Sequence, residues 1–298
     1  MPDLDLSVTI CSWNTVDDLR LCLASLRERK EEANFEVIVI ENNSEDGSGQ
    51  MVADEFPEFR LLQQSVNLGF TGGHNLAIQE RQGRHVLLLN SDTIVHEGAL
   101  SKLMEFLDAN PEAGIVGPKL LNSDGSLQLS CRRFPNPVAA AFRNTPLGKL
   151  FPNNRFTREY LMADIPHDEI REVDWVSGAA LLVREEALEK LVGLDPEFYM
   201  FLEDVDICKR CWKEGFKVFY LPDSVITHAI GKSTDKAPNR MIGRFHLSML
   251  RYYSKHDLQE MNHVARPFVW LFAATMLMLR ATLFLIKNYF DRIRRSIN

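Results

Sequence analysis

The sequence has few cysteines, and their spacing argues against both a disulfide framework and a zinc site. The five form an odd set: Cys11, Cys22, Cys131, Cys208 and Cys211. Because their spacing fits no disulfide framework, we expect the protein to lie in a reducing compartment, the cytosol. The Cys208-x-x-Cys211 pair has no second pair at the spacing that zinc requires, so we interpret it as a chance pair inside a helix.

Signals for secretion and for two common nucleotide-binding loops are also missing. Asp3 and Asp5 stand where a signal peptide carries positive residues, so we expect no secretory signal. The glycine-rich segment 67–75 lacks the Gly-Lys-Ser/Thr of a P-loop and the Gly-x-Gly-x-x-Gly dinucleotide pattern. It precedes a predicted helix, where backbone N–H groups can bind phosphate or sugar oxygens.

Basic residues are scarce in most of the chain and concentrated in its C-terminal part. The net charge is −7, but residues 233–298 carry +7 and the remainder carries −14. No basic stripe crosses the acidic body, so we expect no nucleic acid partner. The basic C-terminal part predicts contact with an anionic surface instead.

Short apolar runs alternate with helical patterns along the first hundred residues. Strands are predicted over 6–10, 35–40, 60–62 and 86–89, and helices over 17–29, 47–55 and 74–82. This order predicts an α/β domain with a largely parallel, helix-covered sheet. Farther along, the patterns predict strands over 175–183 and 216–221, the second ended by Pro222, and a helix over 203–213.

Polar clusters follow three of the predicted strands. They are residues 11–14, 41–48 and 90–92. In parallel sheets, ligands bind at the carboxyl ends of the strands, so these clusters are expected to line one site. The alternative is that they only cap turns and helices, which explains any one cluster better than all three.

Three carboxylates lie close together in Glu203, Asp204 and Asp206, directly behind the aromatic run 198–201. Like charges at this spacing repel, so their use in proton transfer or metal binding would explain them. The alternative is a solvated first helical turn, where acids suit the helix dipole.

Two later segments have unusual composition. Residues 132–158 contain four prolines and predict a loop, either mobile over the site or binding an acceptor. Residues 267–286 are nearly all apolar, are interrupted by Arg280, and are followed by Lys287, Arg292, Arg294 and Arg295. We favour a helix lying in or dipping into the cytoplasmic leaflet; a core helix or a dimer helix is the alternative.

Seven short segments occur in a fixed order over roughly residues 6–235: 8–14, 41–48, 67–70, 88–92, 178–180, 203–206 and His228. Together they resemble the motifs of family 2 glycosyltransferases. Segments 175–179 and 201–206 are most similar to the bacterial rhamnosyltransferase-like branch of that family.

The resemblance implies the GT-A fold, an α/β architecture with a Rossmann-like mixed sheet flanked by helices, plus a C-terminal helical tail. It implies a glycosyltransferase domain over 1–235, with a nucleotide-binding half over about 1–100 and an acceptor-binding half over about 101–235. Residues 236–298 are then expected to form a helical, membrane-associating segment.

The resemblance also implies roles on the donor side. Glu41 would bond the nucleobase, although the family usually has aspartate there. Asp92 would bind Mg²⁺ or Mn²⁺ within an Asp-x-Asp-like motif in which Asn90 replaces the first acid, and His228 would be a second metal or diphosphate ligand. The expected donor nucleotide site comprises Ser12, Asn14, Glu41, Asn43, Asn67, Gly69, Asn75 and Asn90.

On the acceptor side, Asp204 matches the catalytic base of the family. Glu203 and Asp206 are expected to tune Asp204 or to bind acceptor hydroxyls, and Gly178 to lie beside them. Trp175 is assigned to the acceptor by stacking on a sugar; a buried core position is an equally good interpretation.

The resemblance therefore implies an inverting, metal-dependent glycosyltransferase of the cytoplasmic membrane face. The expected donor is a dTDP- or UDP-linked sugar, first of all dTDP-rhamnose, and the expected acceptor is a lipid-linked or cell-surface glycan. UDP-galactose, UDP-glucose or GDP-mannose are alternative donors, and a homo-oligomer is an open expectation. A non-catalytic scaffold is disfavoured by the presence of Asp92, Asp204 and His228, and a nucleotidyltransferase by the lack of a glycine-rich basic loop after the first strand.

Overall fold

A computed structural model describes residues 4–143, 145–229 and 238–297. The strands are β1 (Leu4–Ser12), β2 (Phe35–Glu41), β3 (Arg60–Gln63), β4 (Gly83–Asn90), β5 (Thr93–Val95), β6 (Ala113–Leu121), β7 (Leu127–Gln128), β8 (Cys131–Arg132), β9 (Arg171–Glu172), β10 (Trp175–Val176), β11 (Ala180–Val183) and β12 (Lys217–His228).

Helices cover both faces of the sheet. They are α1 (Val16–Arg27), α2 (Ser48–Glu55), α3 (Gly69–Glu80), α4 (Ala99–Ala109), α5 (Pro137–Phe142), α6 (Pro146–Leu150), α7 (Arg155–Tyr160), α8 (Glu185–Leu191), α9 (Glu203–Lys213), α10 (Pro238–Tyr252) and α11 (Arg266–Ile297). A π-helical turn (Tyr253–Asp257) and a 3₁₀ turn (Leu258–Glu260) follow α10.

The central sheet is mixed, in the order β3-β2-β1-β4-β11-β6-β12-β5, with β7 on β6 and β9 on β12. β1 to β4 are parallel to one another where they pair, and β6 is parallel to β12. β11 lies antiparallel between β4 and β6. β8 and β10 form a separate two-stranded ribbon. The predicted α/β sheet is confirmed, and it is mixed rather than wholly parallel.

Two apolar clusters sandwich the sheet. One packs Leu19, Leu23 and Leu26 of α1 with α2 and α4 against β1 and β2. The other packs α8 and α9 with Tyr252 against the opposite face. The strands contribute side chains to both clusters, because successive side chains of a strand point to opposite faces of the sheet.

The structure corrects three of the predicted elements. The helix expected over 74–82 begins at Gly69, so the glycine-rich segment forms its first turns. The strand expected to end at Pro222 continues to His228, across a register shift between Leu221 and Val225 that accommodates the proline. The strand expected over 175–183 is two strands, β10 and β11.

The proline-rich segment 132–158 was expected to be a loop but contains three short helices. Pro137 and Pro146 occupy the first turns of α5 and α6, where a missing N–H costs nothing. Asn136 caps α5 by accepting a hydrogen bond from the Ala139 N–H at 2.8 Å, and Asn154 caps α7 in the same way. The prolines therefore mark helix starts.

The C-terminal helices pack on the sheet domain. Met249 and Tyr252 are buried in the second cluster, and α11 runs along α10, with the Phe284 ring 5.9 Å from that of His246. The expected boundary between residues 235 and 236 lies outside the described residues. Residues Arg266–Phe290 of α11 are apolar and long enough to cross a membrane, by length and composition.

Candidate active site

The polar clusters at the ends of β1, β2 and β4 form one hydrogen-bonded network. The Thr15 hydroxyl lies 3.0 Å from Ser12 Oγ and 2.9 Å from Ser91 Oγ, which joins β1 to the segment after β4. The Asn14 N–H donates to Ser44 Oγ at 2.9 Å, which joins β1 to the segment after β2. The structure thus brings together the three clusters that the sequence indicated.

Glu41 and Asn43 differ in their surroundings. Glu41 is only 2% exposed, and its Oε1 accepts the Ser44 N–H at 2.6 Å, so it holds the loop after β2 in place. Asn43 is exposed at a positive φ of 60°. The nucleobase contact of Glu41 stays a prediction.

A cavity of about 80 Å³ lies beside this network, lined among others by Trp13, Asn67, Gly69 and Arg244. Asn67 Oδ1 accepts hydrogen bonds from the Gly69 N–H at 2.8 Å and the Tyr199 hydroxyl at 2.7 Å. Gly69 has a φ of +75°, and a Cβ there would lie 2.7 Å from the Tyr199 carbonyl oxygen, so only glycine fits.

Asn75 is also predicted to bind the donor, but its side-chain amide forms hydrogen bonds with the backbone of Leu194. Its Nδ2 donates to the Leu194 carbonyl at 2.7 Å, and its Oδ1 accepts the Leu194 N–H at 2.9 Å. These bonds fix α3 to the segment before α9. Its donor contact stays a prediction.

Asp92 and His228 meet at the carboxyl ends of β4 and β12. His228 Nε2 lies 3.4 Å from Asp92 Oδ1, and both side chains are largely buried. The His228 Nδ1–H donates to Gln128 Oε1 at 2.8 Å, which leaves Nε2 as the acceptor nitrogen; Asn90 Nδ2 donates to it at 3.2 Å.

This arrangement fits a divalent metal. The carboxylate oxygen suits Mn²⁺ or Mg²⁺, the imidazole nitrogen favours a transition metal such as Mn²⁺ over Mg²⁺, and Gln128 orients the imidazole from behind. Across residues 4–143, 145–229 and 238–297, no group of three or more His, Cys, Asp or Glu side chains is placed to hold a metal. A metal here would therefore need further ligands, such as diphosphate oxygens or water.

Asp204 lies on the wall of a second, larger cavity of about 670 Å³. Its Oδ2 accepts the Gly178 N–H at 3.1 Å, and its Oδ1 accepts the Val205 N–H at 2.8 Å. A Cβ at residue 178 would lie 3.2 Å from the Asp204 Cβ, so glycine permits this close approach. Burial raises the pKa of Asp204 above its usual range, partly opposed by these hydrogen bonds.

Strained backbone precedes Asp204. Phe201 and Leu202 have positive φ values of 70° and 64°, which cost energy for side chains of this size. The Leu202 carbonyl nevertheless starts α9 by accepting the Asp206 N–H at 2.8 Å. This turn places Glu203 and Asp204 at the cavity.

Glu203 is 6% exposed, lines the same cavity, and its Oε2 has no hydrogen-bond partner within the described part of the chain. Burial and the neighbouring charge of Asp204 raise the pKa of Glu203 well above its usual range. The two adjacent carboxyls are thus both shifted towards the protonated form.

Asp206 does not line this cavity, in contrast to the acceptor-binding position expected for it. It is fully buried, with Arg210 Nε, Lys255 Nζ and His256 Nε2 each 2.7 Å from its carboxylate oxygens. Asp206 points to the other side of α9, because residues two apart on a helix do not share a face. Asp206 is therefore part of a buried, structural ion-pair cluster.

A family model described as glycosyltransferase-like family 2 matches residues 2–243. The chain belongs to this family. It is a glycosyltransferase of the bacterial rhamnosyltransferase-like branch, as its relatives indicate.

Two curated relatives and one solved structure illustrate the similarity. An N-acetylglucosaminyl-diphospho-decaprenol L-rhamnosyltransferase of Mycobacterium tuberculosis is 30% identical over 254 residues, which cover 82% of each chain. The dTDP-rhamnosyl transferase RfbF of Shigella flexneri is 24% identical, covering 83% of this chain and 78% of RfbF. A mannosyltransferase from Pyrobaculum calidifontis, solved with GDP-Man and Mn²⁺, has a TM-score of 0.56 at 17% identity, covering 98% and 82% of the two chains. The fold of this glycosyltransferase is GT-A.

Trp175 of the glycosyltransferase is buried, as one interpretation expected, and its stacking on an acceptor sugar stays a prediction. It is 4% exposed and its Nε1 donates to the Arg133 carbonyl at 2.7 Å, as expected of a core residue. Its edge also lines the large cavity. The Arg132 guanidinium lies 5.0 Å from the ring centroid, so one face of the ring is already covered.

The sequence interpretation missed several residues of the glycosyltransferase site. Arg132, Arg143 and Arg280 line the large cavity, and Gln128 orients His228. Arg280 had a detectable signal, because it interrupts an apolar run. The other three lie in segments whose pairing across the fold only the structure shows.

Proposed function

We propose that this glycosyltransferase is an inverting, divalent-metal-dependent enzyme that transfers a sugar, in the first place rhamnose from dTDP-rhamnose, to a lipid-linked glycan. The observation that carries the proposal is the placement of Asp204. Its carboxylate is fixed by the Gly178 N–H on the wall of a cavity large enough for an acceptor sugar.

Asp204 acts as the general base in this proposal. A sugar hydroxyl is a weak nucleophile at neutral pH, so a carboxylate within reach must take its proton as the hydroxyl attacks the anomeric carbon. The nucleoside diphosphate leaves from the opposite face, so a single displacement inverts the anomeric configuration. The raised pKa of Asp204 makes its ionised form a stronger base than an ordinary aspartate.

Asp92 and His228 would hold the metal, and Gln128 would orient the imidazole; the Asn90 amide now bonded to Nε2 would give way to the metal. When bound, Mg²⁺ or Mn²⁺ would neutralise the charge of the diphosphate. The network of Ser12, Asn14 and Ser44 would then face the nucleoside, as the family resemblance implies.

The donor and acceptor follow from the relatives. The names of two of them specify rhamnose transfer, and one specifies a sugar linked to a lipid diphosphate. The apolar helix α11 supports an acceptor anchored in a membrane and a location at the cytoplasmic membrane face. UDP-galactose, UDP-glucose and GDP-mannose remain competing donors.

A panel of nucleotide sugars tests the proposal. Full-length protein with Mn²⁺ is examined by thermal shift and then by transfer to a lipid-diphosphate-linked sugar, with dTDP-rhamnose, UDP-galactose, UDP-glucose and GDP-mannose as donors. We expect dTDP-rhamnose to raise the melting temperature most, because a ligand of the folded state stabilises it, and to give a product of inverted configuration. A shift with only UDP or GDP sugars would exclude rhamnose, and retention of configuration would exclude the mechanism.

A further inference from the structure

Three arginines converge on the large cavity from three separate parts of the chain. Arg132 lies in β8, Arg143 directly follows α5, and Arg280 lies in the middle of α11. All three line the cavity that Asp204 and Glu203 also line. Within the described residues, none of the three has a carboxylate oxygen within 4.0 Å.

Their few hydrogen bonds hold the guanidinium groups without neutralising them. Arg132 Nη2 donates to the Leu129 carbonyl at 3.1 Å. Arg143 Nη1 donates to the Tyr160 hydroxyl at 3.3 Å, and Arg280 Nη2 donates to the Arg143 carbonyl at 3.1 Å. The acceptors are neutral, so no direct ion pair neutralises the three guanidinium groups within the described residues, although the charge of Arg132 interacts with that of Asp204.

Two donors of this group have no hydrogen-bond partner among the described residues. The Nε atoms of Arg132 and Arg280 are buried, with no hydrogen-bond partner in the described part of the structure. Burial lowers the pKa of Arg143, and the charges of Arg132 and Arg280 lower it further. Buried donors and like charges of this kind are costly unless an anion binds among them.

Part of the wall is apolar, and the C-terminal helices supply a large share of that part. Met241, Ile242, Phe245 and Met249 of α10 and Phe284 of α11 line it. The outer surface of α11 is also apolar and exposed, with Phe268 72% and Phe272 66% accessible. Apolar side chains thus lie next to the arginines inside the cavity, and the outer face of α11 offers a second apolar surface that the proposed membrane would contact.

We propose that Arg132, Arg143 and Arg280 bind the diphosphate of a polyprenyl-diphosphate-linked acceptor, whose first isoprene units lie against α10 and α11. This inference rests on the proposed function and specifies its acceptor. A lipid diphosphate carries the charge that the cluster lacks, and the planar guanidinium fork matches phosphate oxygens. Its sugar then lies towards Asp204 and its lipid towards the apolar wall.

The binding of lipid diphosphates to full-length protein in detergent tests the inference without knowledge of the acceptor sugar. The probes are farnesyl diphosphate, farnesyl monophosphate and inorganic diphosphate, measured by titration calorimetry. We expect farnesyl diphosphate to bind at least about tenfold more tightly than either of the others, since each charged hydrogen bond contributes about a factor of ten or more.

Variants of the arginines test whether this cluster, and not another part of the protein, binds the lipid diphosphate. Arg143→Gln and Arg280→Gln should each weaken farnesyl diphosphate about tenfold or more, and Arg280→Lys by less, because it keeps the charge but loses the fork. Arg155→Gln, whose side chain is 87% exposed, is the matched control and should bind as wild type does. An unchanged thermal shift with the donor nucleotide shows that each variant is folded.

Three results would overturn the inference. They are equal binding of farnesyl diphosphate by wild type and the arginine variants, binding of inorganic diphosphate as tight as that of the lipid, and an equal loss of nucleotide binding, which would assign the arginines to the donor. Sugar transfer to a lipid-free acceptor without any farnesyl diphosphate binding would leave the proposed function standing and refute only the inference. Absence of transfer from every nucleotide sugar would instead refute the function.

Discussion

His256 Nε2 lies 2.7 Å from Asp206 Oδ1, which joins the turn after α10 to the helix that carries Asp204. Lys213 Nζ donates to His256 Nδ1 at 3.4 Å, so the Nε2–H faces the carboxylate. Because Arg210 and Lys255 contact the same carboxylate, the C-terminal segment is anchored in the glycosyltransferase domain. It is therefore positioned to shape the acceptor side of the site.

The Asp206 cluster should contribute strongly to stability. Asp206→Asn leaves Arg210 and Lys255 without their buried counter-charge, so we expect a loss of about 3 kcal/mol in the free energy of unfolding by urea. Asp17→Asn is the control, because the Asp17 side chain is 90% exposed and its pair with Arg20 contributes little. Equal losses in the two variants would contradict this account.

The same cluster predicts a pH dependence of stability. Burial raises the pKa of Asp206, but the hydrogen bond from His256 and the charges of Arg210 and Lys255 outweigh it and lower the pKa to about 2. Its stabilisation is therefore complete above the unfolded value of about 4 and is lost as the pH falls towards 2. Urea titrations across this range should show a slope that Asp206→Asn abolishes; a slope unchanged by the substitution would assign it to other groups.

Replacement of Asp204 tests the proposed base. We expect Asp204→Asn to lower kcat by a factor of about 10² to 10⁴, the usual contribution of general base catalysis, and to leave the donor-induced thermal shift unchanged. Since burial raises the pKa of Asp204 and the base must be ionised, wild-type kcat/KM should fall with decreasing pH at values above the ordinary aspartate range. Asp223→Asn, on an exposed turn of β12, should keep wild-type kcat. Normal turnover by Asp204→Asn would refute the assignment.

The metal proposal predicts an effect of a residue that touches no metal itself. Gln128 fixes the His228 ring through Nδ1, so Gln128→Ala should weaken Mn²⁺ binding in the presence of nucleoside diphosphate about tenfold. Asp92→Asn and His228→Ala should weaken it further, whereas Gln79→Ala on the exposed surface of α3 should not. Mn²⁺ titrations monitored by electron paramagnetic resonance measure this. Equal affinity in all four variants would place the metal elsewhere.

The sequence predicted the fold of the first hundred residues well, because each element there has a local cause. Buried strands such as Phe35–Glu41 appear as apolar runs, and the polar residues that follow them necessarily meet at one sheet edge. The convergence of the segments after β1, β2 and β4 therefore followed from topology alone.

The acceptor side was less predictable, because long-range contacts decide it. Glu203, Asp204 and Asp206 were three similar acids in the sequence, yet Asp206 turns to Lys255 and His256, about fifty residues away, while the other two line the cavity. Helical phase separates Asp206 from Asp204, but only the packing of α10 shows which face is which. Arg143 and Arg280 join the site through the same packing.

The outer face of α11 should bind membranes. Phe268 and Phe272 are 72% and 66% exposed, and the largely apolar segment Arg266–Phe290 of α11, 25 residues long, extends about 37 Å. Burying each phenyl ring in lipid is worth about 1.5–3 kcal/mol. We therefore expect the full-length protein to sediment with anionic phospholipid vesicles, and the double substitution Phe268→Glu, Phe272→Glu to weaken this binding at least about a hundredfold.

A control substitution at another exposed apolar residue shows whether vesicle binding depends on α11 itself or on exposed apolar surface in general. Leu21 of α1 is 56% exposed and lies in a helix that packs on the sheet, so Leu21→Glu should leave vesicle binding unchanged. Neither phenylalanine lines the large cavity, so an unchanged donor-induced thermal shift in the double variant would show that its site is intact. If wild type stayed in the supernatant with vesicles, α11 would instead have to cover its apolar face with protein, and a concentration-dependent dimer should then appear in sedimentation velocity.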